Sequence, residues 1–506
     1  MQLGKSIATV GGLTSVSRVF GLLREMLMGH FLGASVVADA FIVAFKFPNF
    51  FRRFFAEGAF NAAFVPEFAG ILASNGQKKA NDLANQVFSW LFFVLCAFVI
   101  FVVVFTPFII HLIAPGFCDT PDRLNYAIEF TRITFPYILF ISLAALLSGI
   151  LNSLDRFAAA AATPVLLNIF MIGALLMTVK EPGFALCVGV ILAGIVQFLW
   201  LYFVAQKHGF KLRLQRPLLS PSVSKILKLM VPGAIGAGVM QINIFIDMML
   251  ASTLQTGSLS YLYYADRLNQ LPLSIFGVAI GTVLLPSLSK ALRTGQEQEA
   301  ISLQEKALSM GLRLSIPGAF GLIVLSYPII DLIYGHGSFS VLHVQATAPA
   351  LAAFVVGLPA YTLSKVFTTG FFAKQNTKTP LKIGMITVGC NLILNLLLIG
   401  PFLHVGMALA TGIAAWVQAG LLAWKLSQKS MIDLSKAFFQ DVIYVILASI
   451  CMAAVVYHIQ LEVSLPSSSL KEAIYVFGLV GIGMAIYGIV YKMCLLSTAR
   501  YKKTSV

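Results

Sequence analysis

Apolar runs of membrane-spanning length recur along the chain at about 6–29, 36–56, 87–112, 130–154, 158–179, 183–205, 226–252, 262–288, 309–334, 344–372, 382–401, 406–427, 437–459 and 470–495. A helix needs about 20 apolar residues to cross a hydrocarbon core about 30 Å thick. The pattern therefore predicts an all-α polytopic membrane protein with fourteen transmembrane helices. The first two runs are the weakest because they carry charge. The connectors are short, and the longest basic one, Gln206 to Ser224, separates the sixth and seventh spans. The N-terminal stretch has no small-residue cleavage site after a short apolar core, so it reads as a first helix and not as a signal peptide.

Composition agrees with the pattern. The 506 residues are 58% hydrophobic and 11% charged, with a mean hydropathy of +0.89, whereas soluble domains are about 25% charged. A soluble enzyme, a disordered chain and a secreted disulfide scaffold are excluded. Five of the six cysteines lie in apolar runs and Cys118 stands alone in a short loop, so no disulfide framework or metal spacing is present. The net charge of +15 comes from 35 Lys and Arg against 20 Asp and Glu. One set of alternate connectors, together with the termini, holds twenty-four of the cations. The other set holds only Arg123, Lys180 and Lys471. Cations concentrate on the cytoplasmic side of membrane proteins, so both termini are expected in the cytoplasm of a multi-pass protein.

A weak internal repeat is visible. The fourth span carries Pro136-Tyr137, Gly149 and a polar turn at Asp155-Arg156 before Pro164. The tenth carries Pro359-Ala360-Tyr361, Gly370 and a polar turn from Lys374 to Lys378 before Pro380. Spans two and eight each place an acid before two prolines: Asp39, Pro48, Pro66 and Asp266, Pro272, Pro286. Two related six-helix bundles, a usual build of secondary transporters, are expected at 1–205 and 226–430. A basic linker at 206–225 joins them, and 431–506 adds two further spans. Convergence among proline-kinked helices is the other explanation.

The remaining eight cations lie within spans: Arg18, Arg24, Lys46, Arg52, Arg53, Arg132, Arg267 and Lys365. Each costs about 2.5–3.5 kcal/mol at mid-membrane on insertion scales and needs a reason. On span one, Gly11, Thr14, Ser17, Arg18, Gly21, Arg24 and Glu25 share one face at helical periodicity, which reads as the wall of a water-filled cavity. Span two, running the other way, brings Asp39 to the depth of Arg24 and sets Arg52 lower. Asp266 and Arg267 open span eight at the outer side. Without Arg132, the cations of this bundle outnumber Glu25, Asp39, Glu57 and Asp266 by three. A surplus of arginine suits an anionic, phosphate-bearing substrate, because the planar guanidinium donates two parallel hydrogen bonds. The other reading is structural pairing, such as Arg18 with Glu25 or Arg53 with Glu57. Arg132 and Lys46 fit interfacial, snorkelling positions.

The stretch from Ser17-Arg18 through Arg24-Glu25, and that from Asp39 through Arg52-Arg53 and Glu57 to Phe60, resemble the MurJ (MviN) family of lipid II flippases. Tyr263-Tyr264-Ala265-Asp266-Arg267-Leu268 and Thr134-Phe135-Pro136-Tyr137 are similar to the same family, which belongs to the multidrug, oligosaccharidyl-lipid and polysaccharide exporter superfamily. The resemblance runs from the N-terminus through span twelve; the last two spans match by position and hydropathy. It implies flipping of lipid II, an undecaprenyl-pyrophosphate disaccharide-peptide, across the bacterial inner membrane by alternating access. It further implies pyrophosphate contacts from Arg18, Arg24, Arg52 and Arg267, gating by Asp39 and Glu57, and a lipid-tail groove on spans 13 and 14. Ser17, Glu25, Arg53 and Asp266 complete the expected charge network, although Glu25 stands where some relatives carry Asp. The expected partners are lipid II, membrane lipids and cell-wall synthesis proteins, with no nucleic acid and a monomeric chain.

No Gly-x4-Gly-Lys-Ser/Thr run is present, so ATP is not the expected energy source and no cofactor is expected. Asp247, Asn391, Asn395 and Thr411 offer oxygen ligands at similar depth, suited to Na⁺ or H⁺ as coupling ion. An interhelical hydrogen-bond network explains them equally well. Competing functions are a polysaccharide-repeat flippase, a cation-coupled drug exporter, for which the cavity has the wrong sign, and a membrane glycosyltransferase, for which external carboxylates and histidines are too few.

Overall fold

The computed structural model describes residues 2–55, 59–177, 180–429, 431–463 and 468–504. Among them every regular element is helical, as the all-α expectation requires. The chain divides into two compact units: Met1–Ser260 with Gly337–Phe339, and Tyr261–His336 with Ser340–Val506.

The first unit contains α1 (Gln2–Leu32), α2 (Val36–Phe55), α3 (Ala59–Val104), α4 (Thr106–Ile113), α5 (Pro121–Thr134), α6 (Tyr137–Ser153), α7 (Phe157–Ala161), α8 (Thr163–Met177), α9 (Pro182–Lys207) and α10 (Pro221–Ser252). α11 (Ser258–Arg293) begins at its end. The second unit continues with α12 (Glu297–Val324), α13 (Ser326–Tyr334), α14 (Val341–Val355), α15 (Leu358–Ala373), α16 (Lys378–Ser427), α17 (Lys436–Glu462) and α18 (Ser469–Thr504). Among the described residues, each of the fourteen apolar runs falls on helix apart from short breaks. Among the described residues, nine helical stretches are long and apolar enough to cross a membrane by length and composition, and several of them contain a break.

The breaks repeat. α3 gives way to α4 at Phe105 (φ −90°, ψ 11°), and α12 to α13 at Leu325 (φ −91°, ψ 11°). Pro107 and Pro328 follow closely, and a proline without an N–H cannot continue a helical hydrogen-bond ladder. α6 ends in a left-handed Asp155 and α15 in a left-handed Gln375. In both turns the next amide closes back on the helix: Arg156 N to Leu151 O and Asn376 N to Phe371 O, each at 2.9 Å. Gly76 and Gly295 are a further pair at positive φ, 79° and 73°. The same or nearly the same spacing separates the members of each pair, as an internal duplication predicts. α16 is two helices meeting at Leu403 (φ 52°, ψ −132°), where the sequence separates spans eleven and twelve.

Packing is tight where the first unit holds its charged residues. Gly183 on α9 sits so close to α2 that an added Cβ would lie 2.4 Å from Val37 Cγ1. The lower half of α2 is embedded in aromatic rings: Phe50 meets Phe245 at 4.2 Å between centroids, Phe51 meets Phe98 at 4.9 Å and Phe47 meets Phe135 at 5.1 Å. The basic linker is a strap held in extended form along α3. Asn85 Oδ1 accepts from Arg213 N (2.8 Å), Ser89 Oγ from Gln215 N (2.9 Å), and Trp90 Nε1 donates to Leu218 O (3.1 Å). These bonds satisfy backbone groups that have no helix partner of their own.

Candidate functional site

α1 carries its cations at two levels. Ser17 is half-buried and Arg18 exposed, and among the described residues no acid lies within ion-pair distance of Arg18. Two turns on, Arg24 and Glu25 are buried, at 8% and 3% exposure. They pair through Arg24 Nη2 and Glu25 Oε1, so Glu25 is engaged by its chain neighbour. Asn168 of α8 fixes the arrangement. Its Oδ1 accepts from Arg24 Nη1 at 2.9 Å and its Nδ2 donates to the Ser17 carbonyl at 3.0 Å. Asn168 was not legible as a site residue, because a single amide in an apolar run carries no charge signal.

Asp39 does not meet Arg24 as the depth argument expects. It is fully buried and pairs with Arg123 Nη2 at 3.0 Å. Its carboxylate also accepts from Gly257 N (2.8 Å), Ser260 N (3.0 Å) and Ser260 Oγ (2.6 Å). It therefore caps the first turn of α11, where the unpaired amides and the helix dipole favour an anion. Arg123 is 2% exposed, donates to Leu254 O at 3.3 Å and lies 4.2 Å over the Phe117 ring. The sequence places Arg123 in an open external connector. It is buried because α5 begins at Pro121, well before the apolar run it carries, and because Asp39 compensates its charge.

Arg52 is half-buried and Arg53 exposed at the lower end of α2. Glu57, the expected partner of Arg53, lies outside the described residues. In the second unit Asp266 and Arg267 are both half-buried but point to different neighbours. Arg267 lies 4.6 Å from the Tyr263 ring centroid, and Asp266 accepts from Gln270 Nε2.

The expected cation ligands form polar groups within their own units. Asn391 Nδ2 donates to Thr411 Oγ1 (3.3 Å) and Asn395 Nδ2 to Asn391 Oδ1 (2.9 Å), with both asparagines buried. Asp247 Oδ2 accepts from Asn243 Nδ2 at 2.9 Å. Among the described residues there is no cluster of three His, Cys, Asp or Glu side chains able to hold a metal ion.

The sequence profile of the family described as "Lipid II flippase MurJ" matches residues 28–476. The chain belongs to the MurJ family. MurJ relatives cover nearly its whole length. A "Probable lipid II flippase MurJ" of Rhizobium meliloti (strain 1021) is 40% identical over 498 residues, covering 96% of this chain and 93% of the relative. One of Haemophilus influenzae is 36% identical over 468 residues, covering 89% and 92%. A solved structure described as "Lipid II flippase MurJ, inward closed conformation" superposes with a TM-score of 0.81 at 28% identity, covering 98% of this chain and 99% of that one. An inward-facing MATE transporter of the MOP superfamily shares the fold at a TM-score of 0.69 and 13% identity over 82% and 95% of the two chains.

Proposed function

We propose that this chain is a lipid II flippase, a transporter and not an enzyme, and that it moves the pyrophosphate-linked precursor outward across the bacterial inner membrane by alternating access. Family membership supports the cargo. The observation that carries the site is the arginine ladder of α1: an exposed Arg18 with no acid in ion-pair distance among the described residues, below a buried Arg24 held in place by Glu25 and Asn168. An exposed guanidinium at this depth is unfavourable in lipid. It is supported by a water-filled path and an anion that visits it.

In this reading Arg18, Arg24, Arg52 and Arg267 hold the pyrophosphate while the polyprenyl tail stays in lipid along α17 and α18. Asp39 works through Arg123 and the first turn of α11, and Glu25 keeps Arg24 oriented between cycles. In this reading fourteen crossings leave both termini on one side, the excess of cations on that side supports the cytoplasm, and the bundles are 1–205 and 226–430. Na⁺ or H⁺, engaging the Asp247 carboxylate, resets the empty carrier. The deciding experiment follows fluorescent lipid II in proteoliposomes. Arg18→Ala, Arg24→Ala and Arg267→Ala are each expected to slow translocation by tenfold or more at equal protein levels. Unchanged translocation in all three would overturn the pyrophosphate site.

A further inference from the structure

Arg313 on α12 lies outside the charge network above and is held with unusual care. Its Nε donates to both carboxylate oxygens of Asp441 on α17, at 2.9 and 3.2 Å. Asp441 also accepts from Tyr491 OH of α18 at 2.6 Å, and Tyr487 OH donates to the Arg313 carbonyl at 2.9 Å. The Asp441 side chain is only 9% exposed, whereas that of Arg313 is 47% exposed. One edge of the guanidinium is thus locked to the protein. Among the described residues its two Nη groups have no protein acceptor.

The depth of this cluster is readable from the helices. Asp441 lies five residues past Lys436, the first residue of α17, or about 8 Å of rise. Lys436 and Lys492, the latter next to Tyr491, are exposed at the same end. On the other side of the cluster the exposed surface is apolar: Leu314, Ile443, Leu447 and Ile489. This is the boundary between headgroups and acyl chains on the side of the basic connectors. Up to four guanidinium N–H donors face outward there, and the anionic acceptor available at that level is a lipid phosphate. Arg matches it with two parallel hydrogen bonds.

We propose that Arg313, oriented by Asp441 and Tyr491, binds the phosphate of an anionic glycerophospholipid in the leaflet facing the basic connectors, with Lys436 and Lys492 supplying the surplus positive charge. The site has one fixed guanidinium and opens to the membrane, which fits a single phosphate better than a pyrophosphate. It is independent of the flippase reading.

The test uses the full chain in detergent, with lipid adducts counted by native mass spectrometry. Phosphatidylglycerol should give a saturable adduct that diacylglycerol, lacking phosphate, does not. Arg313→Gln should lose one such adduct or weaken it about tenfold. Arg313→Lys, which keeps the charge and the partner of Asp441 but not the fork, should weaken it less and guards against misfolding as the cause. An unchanged phosphatidylglycerol adduct in a folded Arg313→Gln protein would overturn the proposal. So would displacement by millimolar inorganic phosphate, or an Arg313-dependent adduct formed by undecaprenyl pyrophosphate in preference to phosphatidylglycerol.

Discussion

Removing the guanidinium of Arg123 leaves the fully buried Asp39 carboxylate with only hydroxyl and amide donors. Breaking one half of a buried ion pair typically costs about 3–5 kcal/mol, and replacing both partners with apolar groups costs far less. Arg123→Ala should therefore lower the unfolding midpoint of the detergent-solubilised protein sharply, and Arg123→Met with Asp39→Leu should recover much of the loss. Equal destabilisation by the single and double variants would show that the pair is not the source. Asp39 was legible because an acid in an apolar run demands a partner. The partner was not, because matching charges by depth selects Arg24, and Asp122, Asn125 and Glu129 depress the hydropathy around Arg123. A usable signal did exist. Arg123, Ala127, Phe130, Thr131 and Thr134 are the buried residues of α5 and follow helical spacing, so the buried face starts a full turn or more before the apolar run.

At the scale of elements, hydropathy located the helical runs but not their internal breaks. Spans three, four, five, nine and ten each consist of two helices joined at a kink. Pro136, Pro164, Pro328 and Pro359 stand beside these kinks, and a window of about 20 residues averages across them. The break in α16 is different, because Leu403 takes a left-handed backbone with φ 52° and ψ −132°. Such a conformation costs a non-glycine residue about 1–3 kcal/mol, and Leu403 is 43% exposed, so little packing offsets it. Leu403→Gly should raise the unfolding midpoint, equivalent to about 1 kcal/mol, and Leu403→Val should lower it, since a β-branched residue fits that backbone worst. A midpoint that falls in Leu403→Gly would mean that the side chain, not the backbone, holds the turn. The duplicated turns at Phe105 and Leu325, and at Asp155 and Gln375, carry the internal repeat more clearly than the sequence does. Backbone geometry has been kept where residue identity has not.

For the whole molecule, the burial of Arg123 changes the charge count on which orientation rests. An arginine neutralised by Asp39 is not a free topogenic charge, so the sparse side retains only Lys180 and Lys471; by the same rule Lys225 and Arg313, paired with Glu67 and Asp441, leave the other side's twenty-four, and the imbalance still widens. The asymmetry is therefore stronger than the sequence alone suggests, and it predicts that the turn at Pro115–Asp119 faces outward. Cys118 in that turn is exposed, which gives a direct reading. The other exposed thiol, Cys451, lies in the middle of α17, where lipid shields it from a charged reagent. A sulfonated, membrane-impermeant maleimide should label spheroplasts expressing the protein, and Cys118→Ala should abolish that labelling. Inside-out vesicles should label weakly at this position. If labelling appeared only in inside-out vesicles, both termini would face outward. The basic connectors, and the Arg313 cluster with them, would then lie on the outer leaflet. Labelling of spheroplasts alone fixes the polarity of the arginine ladder, with Arg24 outermost and Arg18 deeper, so that an anion rising from the cytoplasmic side meets Arg18 first.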